Sequence, residues 1–237
     1  MVVDTQQHTA TIERELEQQG YEILALAGEG MLGTVYQAKR KKDDRTVALK
    51  LLRSTGGATA IQLQNEFRLL HSLDHPQLAE VVEYGVTESG TPFMVMAWID
   101  GKPLAREHFI GKNGEFDSQA FAKCIYDLTG ALHYLHVKSI VHGDLKPGNI
   151  LARTKSDGSV EATIMDFGLS NRTGSNGAGL TGTFEYMAPE LIRGEDSQPI
   201  ADLYALGCIL YEIAAGTPPF THEKPLEILK QHLNDAP

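Results

Sequence analysis

The stretch His142-Gly143-Asp144-Leu145-Lys146-Pro147-Gly148-Asn149 puts a carboxylate, an ammonium group and a carboxamide into one short loop enclosed by apolar runs. Asp144 could accept the proton of an attacking hydroxyl. Lys146, two residues on, could neutralise a phosphoryl group in transfer. Asn149 offers an oxygen to a divalent cation, and Asp166 in Ile164-Met165-Asp166-Phe167-Gly168 offers a second hard oxygen at a strand end. Hard oxygen donors beside a lysine suit Mg²⁺ carried with a nucleotide.

A second group lies far upstream. Gly28-Glu29-Gly30-Met31-Leu32-Gly33-Thr34-Val35 falls between two strand-like runs. A GxGxxG that leads into a strand reads as a hairpin lid whose backbone can approach phosphates, unlike the Rossmann turn that opens a helix. On its own it is equally well an ordinary glycine-rich hairpin. Val47-Ala48-Leu49-Lys50 then ends in a lysine that alternation places on the face of Ala48. Glu66 sits three residues after Leu63 and four before Leu70, on an apolar helix face. A carboxylate buried there is costly unless paired, and Lys50 is the cation at hand; the alternative is a solvated, unpaired Glu66.

These residues need a scaffold, and its outline is periodic. Residues 21–27, 34–38, 46–52, 80–86 and 92–98 read as strands, separated by turn chemistry at 41–44 and 88–90. One helix interrupts them, with Leu63, Phe67 and Leu70 at helical spacing. From Asp117 onward the pattern turns helical, with Phe121, Ile125, Leu128, Leu132 and Leu135 on one face and a second helix over 200–215. Short apolar runs at 139–142, 149–152 and 162–165 lie between them, the last two joined by Ser156-Asp157-Gly158. Residues 174–182 read as a mobile glycine-rich loop, and 225–233 as one further helix. Residues 1–20 show only Ile12 and Leu16 four apart, a short helix edge at most, and read as an extension or linker.

In this order the landmarks resemble the eukaryotic-type protein kinase family, serine/threonine branch, bacterial in loop style, from about Tyr21 to the C-terminus. They are the glycine loop, the strand lysine, the helix glutamate, the HxDLKPxN loop, Asp166-Phe167-Gly168 and Ala188-Pro189-Glu190. The resemblance implies an α+β fold of two lobes around a nucleotide cleft. A five-stranded antiparallel sheet with one helix would form the N-lobe (21–98), and a mainly helical C-lobe (99–237) would follow, incomplete after about the helix at 225–233.

It also implies roles. Gly28, Gly30 and Gly33 would cover the phosphates of ATP, and Lys50, held by Glu66, would contact the α and β groups. Val35, Ala48 and Leu151 would sandwich adenine, with Met96 as gatekeeper and residues 97–99 as hinge. Asp144 would orient and deprotonate the acceptor hydroxyl, Lys146 would contact the γ-phosphate, and Asn149 and Asp166 would bind Mg²⁺. Lys146 and Thr183 are similar to the serine/threonine branch, Thr183 lying beside the acceptor pocket, although a regulatory phosphosite is its other reading. Asp202 in Asp202-Leu203-Tyr204-Ala205-Leu206-Gly207 would anchor the catalytic-loop backbone.

Some positions depart from the family. Gly143 replaces an arginine that pairs with an activation-segment phosphate, so phosphorylation at Ser170, Thr173, Ser175 or Thr181 is not expected to be strictly required. Ala27 and Ala97 stand where a larger aliphatic residue and an acidic hinge residue are usual. Glu190 lacks the arginine partner that later family helices supply, which reads as a truncated chain or a compensated, shortened lobe. The competing functions are a pseudokinase scaffold and, because HGDLxxGN also occurs there, an aminoglycoside-type phosphotransferase.

Composition is consistent with this reading. The 237 residues are 42% hydrophobic and 22% charged, enough for a substantial core and unlike a disordered or fibrous chain. Lys+Arg number 21 against 31 Asp+Glu, a formal charge of −10, which argues against non-specific binding to nucleic acid or anionic membrane. Two cysteines, Cys124 and Cys208, cannot build a metal cluster, and with no signal peptide or membrane segment in sight a cytoplasmic, reducing compartment is expected. The expected partners are ATP and protein substrates.

Overall fold

A computed structural model describes residues 11–30, 33–52, 60–167 and 184–237, leaving aside the side chains of residues 60–63, 65 and 66. The chain divides into two compact units, one formed by Met1–Asp74 with Ala79–Ile99, the other by His75–Leu78 with Asp100–Pro237.

The first unit opens with helix α1 (residues 11–18), followed by β1 (Tyr21–Gly30), β2 (Gly33–Arg40) and β3 (Arg45–Leu52). Helix α2 (Ala60–His71) precedes β4 (Val81–Val86) and β5 (Pro92–Ala97). The strands form one antiparallel sheet in the order β1-β2-β3-β5-β4. Strict alternation sorts its side chains. Tyr36, Ala38, Val47, Leu49, Phe93 and Val95 cluster on one face, and Ile12 and Leu16 of α1 pack into that cluster. The apparent linker is thus part of the core, and Leu16 is 0% exposed.

Polar contacts hold α1 in place as well. The Ser89 N–H and hydroxyl donate to Glu15 Oε2 (3.1 and 2.8 Å), and Gln19 Nε2 donates to the Val86 carbonyl (3.1 Å). Helix α2 is fastened to β4 by His71 Nδ1, which donates to the Val81 carbonyl (2.6 Å), and by Phe67, whose ring lies 5.6 Å from that of Tyr84.

In the second unit β6 (Lys102–Pro103), β7 (Ile150–Thr154) and β8 (Val160–Ile164) form a small antiparallel sheet. Helix α3 (Ser118–Val137) buries Cys124, Leu128, Ala131, Leu132 and Leu135 and packs on β8. It starts where Asp117 caps it, accepting from the N–H groups of Gln119 (3.0 Å) and Ala120 (2.9 Å), so the first orphan donors are satisfied. A short α4 (Pro189–Ile192) leads to α5 (Pro199–Ala215) and α6 (Pro225–Asn234). Arg106 closes α5 at its C-terminal end, donating to the carbonyls of Ile213 (2.7 Å) and Ala214 (2.6 Å). Among the described residues no helix is long and apolar enough to cross a membrane.

Candidate active site

On the sheet of the first unit, the face opposite α1 carries the expected nucleotide positions. Lys50 stands across from Val35 on β2 and Met94 on β5, and Ala48 across from Gln37 and Met96. Val35, Ala48, Lys50 and Met96 therefore share one face, while Val47, Leu49 and Leu51 point into the core. The Lys50 side chain is buried at 3% exposure, unusual for a lysine and the mark of a partnered one. Glu66 belongs to α2, but its side chain, and with it the expected pair with Lys50, lies outside the described residues.

The glycines of the loop divide into two kinds. Gly33 has φ 152°, and a Cβ there would sit 1.8 Å from the Leu51 carbonyl oxygen, so the sheet itself demands glycine. A Cβ on Gly28 or Gly30 would meet nothing within 4 Å. Packing among the described residues does not explain those two, and they leave the backbone there bare of side chains.

The loop of the second unit is fixed from several directions. Asp202, at the start of α5 and 1% exposed, accepts hydrogen bonds from the backbone N–H groups of His142 and Gly143, both 2.8 Å. His142, fully buried, donates from Nε2 to the Met165 carbonyl (2.9 Å) and accepts at Nδ1 from the Asp144 N–H (3.3 Å). These partners require a neutral ring with its proton on Nε2. Burial, first among the causes, holds its pKa below the ordinary histidine value against the pull of Asp202. Gly143 takes φ 76°, a left-handed conformation that costs a side-chain-bearing residue energy, and this is a local reason for glycine there.

With the backbone so held, Asp144 presents a carboxylate 43% exposed. Lys146 Nζ lies 2.7 Å from its Oδ2. Asn149 Nδ2 donates to the Asp144 carbonyl (2.7 Å) and to its Oδ2 (3.3 Å). That orientation commits the amide nitrogen inward, while Oδ1 of Asn149 accepts no hydrogen bond among the described residues. Ile150 pairs with Ile164, so Asn149 and Asp166 emerge at the same end of the β7–β8 ladder, where the Met165 N–H donates to the Asn149 carbonyl (2.8 Å). Asp166 has φ 58° and Phe167 beside it is buried. The two oxygen donors and the Asp144–Lys146 pair therefore belong to one locally braced cluster, suited to a divalent cation by donor type.

Leu151 lies on β7 between the buried Ile150 and Ala152, on the opposite face of the strand. Gly168, Thr183, the residues 174–182 and the candidate phosphosites Ser170, Thr173, Ser175 and Thr181 lie outside the described residues. Glu190 Oε1 is buried with no hydrogen-bond partner among the described residues. One supporting residue escaped the reading of the sequence: His136 on α3, whose Nε2 donates to Asp202 Oδ2 (2.8 Å). Its only signal was a position four residues after Leu132, on the edge of the apolar face.

The ordered strand lysine, braced loop and paired oxygen donors are those of a protein kinase domain. The model of the protein kinase domain family matches residues 21–236, and the chain belongs to that family. It is 31% identical over 228 residues to the serine/threonine-protein kinase pkn3 of Myxococcus xanthus, covering 92% of this chain and 41% of that protein. Against the serine/threonine-protein kinase PknB of Mycobacterium tuberculosis it is 30% identical over 229 residues, 92% of this chain and 36% of the relative. Against the serine/threonine-protein kinase fused of Drosophila melanogaster the identity is 36% over 215 residues, 89% and 26%. The chain spans less than half the length of each of these relatives. The family works with ATP and a divalent cation on protein substrates.

Proposed function

We propose that this chain is an ATP- and Mg²⁺-dependent protein serine/threonine kinase, with an N-lobe of residues 21–98 and a C-lobe of residues 99–237, working in the cytoplasm. The observation that carries the reading is the Asp144 carboxylate, exposed yet bracketed by Lys146 Nζ at 2.7 Å and Asn149 Nδ2 at 3.3 Å. Asp144 orients the substrate hydroxyl and takes its proton as the oxygen attacks the γ-phosphorus and the bond to the β-phosphate oxygen breaks. Lys146, already beside that carboxylate, turns its charge to the γ-phosphoryl group. Lys50, paired with Glu66, holds the α- and β-phosphates. Bare backbone at Gly28 and Gly30 covers them, and Gly33 fixes the hairpin.

Asn149 and Asp166 would hold Mg²⁺, which when bound would offset the charge of the phosphates. Val35, Ala48, Met96 and Leu151 receive adenine, and Thr183 supports Asp144 and Lys146 on the acceptor side. Positioning and charge stabilisation supply most of the rate, and Asp144 adds about 10²–10⁴-fold as acid–base group.

The test is incubation with labelled ATP, Mg²⁺ and a generic basic protein, followed by phosphoamino-acid analysis. Label on serine and threonine is expected. A folded chain that shows an Mg²⁺-dependent thermal shift with ATP but transfers nothing is a scaffold, and one that phosphorylates only a small-molecule hydroxyl belongs with the aminoglycoside-type enzymes. Either result overturns the proposal.

A further inference from the structure

Helix α6 meets the turn Phe184–Tyr186 through a buried histidine. His232 is 5% exposed and lies against the rings of Phe220 (4.8 Å) and Tyr204 (5.6 Å), with its Nδ1 2.7 Å from the Tyr204 hydroxyl on α5. Its Nε2 is buried with no hydrogen-bond partner among the described residues, and the carbonyls of Phe184 and Glu185 lie alongside it. A ring that donated from Nδ1 would turn a lone pair toward those carbonyls. The neutral tautomer that fits accepts at Nδ1 from Tyr204 and presents its Nε2 proton to them. The turn itself follows Thr183 directly. Its far end is held by the Tyr186 hydroxyl, which donates to Glu212 Oε2 on α5 (2.7 Å), and its near end rests on His232.

We propose that His232 is a positioning residue for the protein substrate: fixed by Tyr204, it props the turn at 184–186 and so sets the place of Thr183 on the acceptor side. The inference rests on the kinase reading above and on the role given there to Thr183. Packing does not explain the histidine. An apolar ring would fill the space between Phe220 and Tyr204 without burying polar atoms, whereas an imidazole there is costly unless both nitrogens are used. What the imidazole adds is the ability to accept from one neighbour and donate to another, which ties α5 and α6 to the same short turn. Breaking that tie loosens the start of the turn. Asp144 keeps its loop, which Asp202 holds, and Lys50 and the adenine positions belong to the sheet of the first unit. The effect therefore falls on the protein substrate and not on ATP.

Two variants of the full chain isolate the pair. Tyr204→Phe removes one oxygen, and His232→Phe keeps an aromatic ring without either nitrogen. Each should raise KM for a basic protein substrate by about three- to tenfold, the weight of one hydrogen bond, with KM for ATP within about twofold. The double variant should be no worse than His232→Phe alone. His232→Asn, whose Oδ1 takes the place of Nδ1, should recover part of the loss when Tyr204 is present and none of it in Tyr204→Phe. Amide hydrogen exchange, followed by mass spectrometry, should be at least about fivefold faster over residues 184–188 in His232→Phe, with α3 unchanged. If His232→Phe does not fold, Tyr204→Phe, the milder change, decides. A parental KM for the protein substrate in the single variants, additive losses in the double variant, or an equal rise in KM for ATP overturns the proposal. A parent that transfers no phosphate refutes the kinase reading instead, and exchange over 184–188 still decides whether His232 holds the turn.

Discussion

Leu16 lies in a segment that precedes the matched kinase residues, yet its side chain is wholly buried against the sheet. Leu16→Ala removes three buried carbons from the cluster that also holds Val47, Leu49 and Val95 and leaves a cavity that α1 can only partly close. Substitutions of this kind cost about 2–5 kcal/mol. Helix propensity works the other way, since alanine is the better helix former, so any loss comes from packing. Taking about 3 kcal/mol, the melting temperature falls by about 6–12 °C if the chain unfolds as a whole. The assay is thermal and urea unfolding followed by circular dichroism, with Leu24→Ala as the control. Leu24 is 49% exposed, and its truncation should stay within about 0.5 kcal/mol of the parent. A Leu16 variant as stable as the Leu24 variant would refute the claim that α1 is part of the core. A chain beginning at residue 21 should be less stable still, because Ile12 and the Glu15 and Gln19 contacts go with it.

Gly143→Ala should destabilise by about 1 kcal/mol, since alanine must adopt the left-handed φ of 76°; urea midpoints check this, and a gain in stability would contradict it. Alanine at Ser170, Thr173, Ser175 and Thr181 together should leave most of the kinase activity, because Gly143 offers no cation to a loop phosphate; an intact fold with activity abolished would count against that. Burial keeps the folded-state pKa of His142 below its unfolded value of about 6.5, so as pH falls the unfolded chain takes up this proton first. Stability should therefore fall as pH drops below about 6.5, and an unfolding midpoint that rises between pH 7.5 and 5.5 would show the sign to be wrong.

Much of the site could be read because its residues are close in sequence. Asp144, Lys146 and Asn149 share one loop, and their mutual hydrogen bonds follow from that short span. Strand alternation likewise separated Ala48 and Lys50 from the core-facing Val47 and Leu49. What eluded the sequence was long-range. Ile12 and Leu16 are only two apolar positions in a polar stretch, and their burial depends on a sheet built later in the chain. His136 looks like any histidine at the edge of a helix until α5 brings Asp202 to it, 66 residues on. The strand Lys102–Pro103 has no periodicity to detect and exists only because β7 pairs with it. A tertiary partner, and not local propensity, decides each of these.

Whether Asp144 serves phosphoryl transfer is decided by comparing parent and Asp144→Asn for transfer from labelled ATP to protein serine and threonine, with folding checked by circular dichroism. Label transfer by the parent and a loss of about 10²–10⁴-fold in the variant are expected, with ATP binding retained. A folded parent that transfers no label, or an asparagine variant that transfers as well as the parent, would contradict that role.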